Sequence, residues 1–179
     1  DHGAVRAEGD PSDIVVEYTE TMLGGSATPG PESIRRGNGP LRVTRAEILA
    51  DDTPAERLKT GQRLTIRLHY ETAEPVHTPV FSVSIAPLGR PIVTAPTTRD
   101  AGNVPEVLAG AGVLDVTIDD LPLLPGPQGV HTEVSCYDLQ QIPEHVQNAV
   151  TFVVMSRDTR ETTGMVTMRP RWSYRSNAD

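Results

Sequence analysis

Two segments of this 179-residue chain alternate apolar and polar side chains almost without error, Leu64–Tyr70 and Val130–Cys136. Successive side chains of a β-strand point to opposite sides of its sheet, so a period of two predicts strands with one buried and one polar face. The apolar residues of the first segment are predicted to build a core: Leu64, Ile66, Leu68 and Tyr70. The polar residues between them are predicted to present a surface, and that surface is where a function is to be sought.

Further strand patterns follow at short intervals, and Gly and Pro mark the turns between them. Eight strands are predicted: Leu41–Leu49, Arg63–Glu71, Val80–Pro87, Pro91–Ala95, Gly112–Asp119, Gly129–Leu139, Ala149–Met155 and Gly164–Met168. A brief helical pattern is present at Pro105–Ala111. Many short strands separated by turns predict an all-β sandwich.

The first forty residues have a different character. Asp10–Leu23 is predicted to be a short helix, because Asp10-Pro-Ser-Asp supplies a cap and an early proline before apolar residues at helical spacing. Residues 24–40 are rich in Gly, Pro and Ser, which is typical of a flexible linker. We therefore expect the sandwich to occupy residues 41–179. The sequence begins without methionine, and we expect it to be part of a longer protein.

The charge of the chain argues against several classes of partner. Its 16 Lys and Arg against 24 Asp and Glu give a net charge of -8, which disfavours nucleic-acid phosphates and anionic membrane surfaces. There is neither a run of about 18 apolar residues nor the apolar core of a signal peptide. Cys136 is the only cysteine, so a disulfide-dependent scaffold is excluded. No cofactor is predicted.

A resemblance to a known family is carried by an ordered series of segments. The series is a turn at Gly61 before Leu64–Tyr70, then Thr78–Ile85 before Leu88-Gly, then Gly112–Ile118 with Leu121–Gly126, then Gly129–Asp138, and finally Val150–Val154, Gly164–Met168 and Arg171-Trp172. This series resembles the C-terminal domain of Wzt-type ATP-binding subunits, which belong to ABC transporters that export lipid-linked O-antigen polysaccharide. Gly3–Tyr18 is similar to the last strand and helix of the ATPase domain in such subunits.

The resemblance implies a non-catalytic carbohydrate-binding module with an Ig-like or jelly-roll antiparallel sandwich. Residues 1–23 would then be the tail of the ATPase domain, 24–40 the linker and 41–179 the sandwich. The implied partners are the lipid-linked polysaccharide, the ATPase domain, the transporter permease and a second copy of the chain. The implied location is the cytoplasmic face of the membrane. A binding domain on a linker would raise the local concentration of the polymer near its exporter.

A dimer is also indicated by the end of the chain. The polar stretch at 156–163 precedes the last predicted strand, Gly164–Met168, and is long enough to act as a hinge. A terminal strand on such a hinge either pairs within its own sheet or is exchanged with a second copy, a low-cost route to a dimer. We expect a homodimer formed or reinforced in this way.

The resemblance supplies no residue-level binding site, so the candidate site comes from the polar faces of the two alternating strands. Sugar hydroxyls both donate and accept hydrogen bonds, and imidazole, carboxylate, guanidinium and hydroxyl groups complement them. We expect the glycan to bind across one polar sheet face formed by the following residues: Arg67, His69, His131, Glu133, Ser135 and Tyr137.

Two other functions stay open at this point. His69-Tyr-Glu71 and His131-Thr-Glu133 each place an imidazole and a carboxylate on one strand face, as a metal-dependent jelly-roll enzyme of the cupin type requires. The usual His-x-His with a nearby Glu is absent. The other alternative is a purely structural dimerisation domain of the transporter.

The chain is expected neither to bind nor to hydrolyse ATP. Nucleotide hydrolysis of the ABC type needs a G-x-x-x-x-G-K-[ST] loop, whose backbone and Lys cradle the phosphates, and no such motif occurs in the sequence. Titration calorimetry with Mg-ATP should therefore give only heats of dilution. Saturable binding would contradict this prediction.

Overall fold

The computed structural model describes residues 33–136, 144–157, 161 and 163–173, together with Ile14. Eleven β-strands lie within this part of the chain. They are β1 (Ile34–Arg36), β2 (Leu41–Ala50), β3 (Thr53–Pro54), β4 (Arg57–Lys59), β5 (Leu64–Thr72), β6 (Val76–His77), β7 (Pro79–Pro87), β8 (Val107–Leu108), β9 (Ala111–Ile118), β10 (Gly126–Cys136) and β11 (Glu144–Met155). The helix predicted at Asp10–Leu23 lies outside the described residues except for Ile14.

The strands form two main sheets. Sheet A has the order β1-β11-β10-β7, and β4 pairs in parallel with the end of β11. Sheet B has the order β3-β2-β5-β9, with antiparallel pairs throughout. The short strands β6 and β8 pair only with each other. The all-β antiparallel sandwich is confirmed. No helix in the described part of the chain has the length and apolar character needed to cross a membrane.

The core lies between the two sheets. Ile66 and Leu68 of β5 are fully buried, as are Val130 and Val134 of β10, so the alternation in both segments predicts correctly which side chains face inward. Both sheets contribute to one continuous apolar cluster. Each fully buried side chain of this kind contributes about 1.5–3 kcal/mol to stability, so the core fixes the direction in which every flanking polar residue points.

Six of the eight predicted strands are the six long strands of the structure, with ends shifted by a few residues. The other two, Pro91–Ala95 and Gly164–Met168, are extended but make only isolated bridges, Thr94 to Ile85 and Val166 to Leu123. Pro91 begins the first segment, Pro96 directly follows it, and Pro122 lies opposite the second. Proline has no N–H to donate, so it interrupts a ladder before a regular strand can form.

The helical pattern at Pro105–Ala111 is a wrong prediction. Val107–Leu108 forms β8, which pairs antiparallel with β6, and Ala111 begins β9. A helix of seven residues is too short to be stable without tertiary support, because its nucleation cost is spread over few hydrogen bonds. Strand partners at both ends of the segment satisfy its backbone instead.

The sandwich also begins earlier than the composition predicts. Ile34–Arg36, within the stretch interpreted as linker, forms β1 and adds an edge strand to sheet A beside β11. Its composition is not that of a buried strand, and all three residues are exposed. Their backbone pairing with β11, which local composition does not reveal, brings them into the domain.

A buried carboxylate connects the two sheets. Glu144 of β11 is 2 % exposed, and its Oε2 accepts a hydrogen bond from the Val43 N–H of β2 at 2.6 Å. Arg35 of β1 donates both to Glu144 Oε1 and to the Val43 carbonyl oxygen. The free edge of β2 at Val43 is therefore satisfied by side chains from sheet A, and we call this group the inter-sheet clasp.

Removal of the carboxylate from the inter-sheet clasp should strongly destabilise the domain. Glu144→Ala leaves the half-exposed Arg35 guanidinium without its partner and the buried Val43 N–H without its acceptor, and an unsatisfied buried donor costs about 1–3 kcal/mol. The control is Arg45→Ala, which removes an exposed pair with Glu47 worth about 0–1 kcal/mol. Urea unfolding of both variants measures the difference. Equal losses would contradict the role of the clasp.

Candidate functional site

The two halves of the predicted site lie in different sheets. Arg67 and His69 belong to β5 of sheet B, whereas His131, Glu133 and Ser135 belong to β10 of sheet A. Because the inner faces of the sheets meet in the core, the outer faces lie on opposite sides of the sandwich. The single polar face expected from the sequence is therefore wrong. Tyr137 lies outside the described residues.

The outer face of sheet B is an array of mutually paired charges. Arg67 forms a bidentate pair with Asp115 of β9, at 2.9 and 2.8 Å, and this pair raises the pKa of Arg67 and lowers that of Asp115. His69 Nε2 donates to Glu47 Oε2 at 2.6 Å, and this hydrogen bond holds the pKa of the Glu47 carboxyl below its ordinary value. Arg67, His69 and their carboxylate partners on this face are thus already paired with each other.

The outer face of sheet A has a different arrangement at its centre. His131 lies beside Ser84 of β7, and Glu133 lies between Ser82 of β7 and His145 of β11. These five residues point away from the core and are half-buried, and we call them the polar patch. Ser82, Ser84 and Glu133 form no side-chain hydrogen bond or ion pair with any other residue that the structure describes.

The polar patch lies between two buried ends of the outer face of sheet A. At one end Ser135 and its neighbour Val80 are each 4 % exposed, and at the other end Ala86 is also 4 % exposed. Ser135 is therefore on the expected face but is not accessible at its surface. A few polar groups held at fixed positions on a partly buried surface are what orients a polar ligand in its site.

A β-bulge positions the imidazole of His131. Val130 pairs with Val150 and Thr132 pairs with Val146, so His131 alone lies opposite three residues, 147–149. The backbone N–H of Asn148 donates a hydrogen bond to His131 Nδ1 at 3.1 Å. The bulge is not evident in the sequence, because Asn148 interrupts a strand pattern only weakly. It is the feature of the site that sequence reasoning misses.

Burial and charge both favour the neutral form of His131. Desolvation lowers the pKa of His131 below its ordinary value, and the neighbouring His145 lowers it further. The hydrogen bond from Asn148 agrees with this direction, since Nδ1 accepts it only when that nitrogen carries no proton. His131 is therefore a neutral hydrogen-bonding group at pH 7.

The residues of the metal alternative do not come together. His69 and Glu71 lie on the outer face of sheet B, whereas His131 and Glu133 lie on that of sheet A. Among the described residues no group of three or more His, Cys, Asp or Glu could hold a metal ion. A cupin-type site built from these four residues is therefore ruled out by the topology.

An apolar cavity of about 460 Å³ lies between the sheets at the edge where β7 and β9 end the two layers. Its walls include Ile66, Val83 and Val116, and residues 166–168 border it. Thr94 and Thr167 are the polar residues in the lining. A glycan would lose most of its hydrogen bonds to water in such a cavity, so the cavity does not suit a sugar.

Comparison with known protein families identifies the domain. Residues 32–168 match the family model described as "Wzt C-terminal domain", which covers more than half of the chain. The chain belongs to this family. It is thus a Wzt-type C-terminal domain, the domain type of an ABC transporter subunit, as the resemblance implies.

One solved structure agrees with this assignment at the level of fold. The chain is similar to the "C-terminal domain of wzt" with a TM-score of 0.70 and 12 % identity, over 81 % of this chain and 90 % of that chain. A beta-glucuronidase from Parabacteroides merdae matches with a TM-score of 0.39 and 14 % identity, over 64 % of this chain and 13 % of that one. No curated protein matches the chain.

Acidification should weaken the Wzt-type domain through His131. Because the folded-state pKa lies below the unfolded value of about 6.5, His131 contributes stability fully above that value and loses it as pH falls through the folded pKa. Between pH 7.5 and pH 5 the unsubstituted protein should therefore lose more unfolding free energy than His131→Gln, which does not titrate. Urea unfolding at each pH measures both slopes.

The matched control for this measurement is Ser84→Ala on β7, beside His131, which removes no titratable group. It should keep the pH dependence of the unsubstituted protein. Parallel curves for the unsubstituted protein and His131→Gln would show that His131 is not the titrating group.

Proposed function

We propose that this domain is a non-catalytic carbohydrate-binding module that recognises a lipid-linked polysaccharide, an O-antigen or a similar surface glycan, for export by an ABC transporter. We further propose that the glycan binds at the polar patch of sheet A. The observation that carries this proposal is a half-buried group of outward-facing polar side chains, of which Ser82, Ser84 and Glu133 have no partner among the described residues. Membership of the Wzt C-terminal domain family supports the transporter context.

The choice between the two outer faces rests on the state of their polar groups. On sheet B a sugar would have to compete with the bidentate Arg67–Asp115 pair and with the His69–Glu47 hydrogen bond. Charge-assisted bonds of this kind are about twice as strong as neutral ones, so a neutral sugar hydroxyl gains little by displacing them. On sheet A a ligand at the polar patch has to displace water but no ion pair of the fold.

The polar patch also has the mixture of groups that a sugar needs. The carboxylate of Glu133 only accepts hydrogen bonds, the hydroxyls of Ser82 and Ser84 both donate and accept, and a neutral imidazole supplies one donor. Each neutral hydrogen bond contributes about 0.5–1.5 kcal/mol and each charged one about 1.5–3 kcal/mol. A few such contacts give modest affinity for one sugar unit, which suits a polymer that must later be released.

Two further elements of the proposal concern the assembly. A homodimer with exchange of the segment Gly164–Met168 would present two polar patches to one polymer, and simultaneous binding raises avidity without new contacts. Within the described part of the chain this segment pairs with the sandwich through a single β-bridge, Val166 to Leu123, and the backbone hydrogen bonds at Met165 and Thr167, a short pairing that is compatible with exchange. Tethering to an ATPase domain and a permease at the inner face of the cytoplasmic membrane would hold the patches near the exporter.

Removal of two side chains of the polar patch should abolish most of the glycan affinity. The double variant His131→Ala, Glu133→Ala removes one donor and one charged acceptor, so binding should weaken by at least about tenfold. The melting temperature should fall only modestly, because both side chains point away from the core and the one hydrogen bond lost, from the Asn148 N–H to His131, contributes about 0.5–1.5 kcal/mol. The measurement is titration calorimetry with delipidated surface polysaccharide from the cells that make this protein.

The matched control is the double variant Arg67→Ala, Asp115→Ala on the opposite face. It removes both members of an ion pair, so it leaves no unpaired charge behind. The control should bind the polysaccharide as the unsubstituted protein does. The reverse result would place the site on sheet B. If the unsubstituted protein binds no polysaccharide, the glycan proposal fails and a structural dimerisation domain becomes the better explanation.

A further inference from the structure

We propose that His131 determines specificity at the polar patch as a hydrogen-bond donor of fixed direction, which selects a sugar that presents an acceptor oxygen at this position. The inference rests on the proposed function, since it names the chemistry by which the same patch would recognise its glycan. It adds a residue role and a tautomer that neither the family nor the fold defines.

The hydrogen bond at His131 Nδ1 has a fixed direction. A backbone N–H can only donate, and the N–H of Asn148 lies 3.1 Å from His131 Nδ1. Nδ1 must therefore be the unprotonated nitrogen, and the single proton of a neutral imidazole is on Nε2. The nitrogen that is not held by Asn148 is thus a donor and not an acceptor.

Asn148, whose backbone N–H holds the imidazole ring, is itself held in place. Asn148 has a φ of 51°, in the left-handed region that Asn adopts more easily than most residues. A Cβ on Gly129, across the strand pair, would lie 2.5 Å from Asn148 Oδ1 and 3.1 Å from Leu88 Cδ2. Glycine at position 129 therefore leaves the space that the Asn148 side chain occupies. Bulges of this kind re-aim one side chain at a binding site.

Polar groups from three strands surround the imidazole ring. Ser84 of β7 lies next to His131, Glu133 follows on the same face of β10, and His145 of β11 is the nearest titratable group across the ladder. Arg36 of β1 is the register partner of His145 and marks the far side of the patch. Within this group the Nε2–H of His131 and the carboxylate of Glu133 are a donor and an acceptor that one ligand can contact together.

The spacing of that pair defines the class of ligand. His131 and Glu133 are two residues apart, which is about 6.6–6.8 Å along a strand and comparable to the width of one hexopyranose ring. One ring could thus accept from His131 at one oxygen and donate a hydroxyl to Glu133 at another. The oxygen at His131 must be an acceptor, such as a ring oxygen, a glycosidic oxygen or an acyl carbonyl. A sugar with no oxygen there would leave the half-buried donor unpaired and bind more weakly.

The tautomer can be tested without any ligand. Long-range 1H–15N correlation spectra of the uniformly 15N-labelled 179-residue chain at pH 7.5 distinguish a protonated Nε2 from a protonated Nδ1. The His131 signals are identified by their loss in His131→Gln. We expect a single Nε2–H tautomer for His131. A protonated Nδ1, or an averaged mixture of both tautomers, would overturn the proposal.

Two amide substitutions separate donation to the ligand from support of the bulge. The amide nitrogen of Gln reaches the position of His Nε2, so His131→Gln keeps the outward donor but not the acceptor for Asn148. The amide oxygen of Asn reaches the position of His Nδ1, so His131→Asn keeps that acceptor but not the outward donor. The two variants thus divide the functions of the imidazole between them.

With the delipidated surface polysaccharide as probe, His131→Gln should bind within about threefold of the unsubstituted protein, and His131→Asn should bind about tenfold more weakly. A purely structural role for His131 predicts the opposite order, because only Asn preserves the bond from Asn148. That order, or equal affinity of both variants, would overturn the role of His131 while leaving glycan binding intact. Absence of binding by the unsubstituted protein would overturn both proposals, whatever the tautomer.

Discussion

The carboxylate of Glu144 is the interaction on which the arrangement of the two sheets depends. It lies in sheet A, almost completely buried, and accepts a hydrogen bond from the Val43 N–H at the free edge of β2 in sheet B. An edge strand presents unpaired backbone groups that either bind water or recruit another chain. Arg35 satisfies the Val43 carbonyl from the other side, so this part of β2 is closed by side chains and both sheets share one hydrogen-bond network.

Once the sheets are joined in this way, their outer faces become independent surfaces with different chemistry. On sheet B the charged side chains Arg67 and Asp115, and likewise His69 and Glu47, bind each other across neighbouring strands. Such pairs contribute little to stability at a surface but reduce the capacity of the face to bind a polar ligand. Sheet A instead has a serine pair, a carboxylate and an oriented imidazole at its centre. The asymmetry between the faces is therefore a matter of pairing and not of composition.

Much of the fold follows from local pattern, because the period of two in β5 and β10 states which side chains are buried. The pattern says nothing about which sheet a strand joins, since each strand satisfies its alternation in either layer. This is why Arg67 and His131 have the predicted orientation yet lie on opposite sides of the molecule. The bulge at Asn148 could not be predicted for the same reason, because it depends on the pairing of β11 with β10 and not on the residues around Asn148. Long-range pairing of this kind is invisible in a single sequence.

The bulge also restricts how this part of the chain can vary in length. Residues 147–149 lie opposite one residue of β10, so β11 contains two extra residues at the bulge. Because two is one full period of a strand, the even-numbered side chains of β11 point into the core both before and after the bulge. Loss of a single residue here would exchange the inward-facing and outward-facing side chains in the remainder of β11, which would move Phe152 and Val154 out of the core. Homologous chains should therefore gain or lose residues at this point in pairs, and an odd change would have to be compensated by a second irregularity further along the strand.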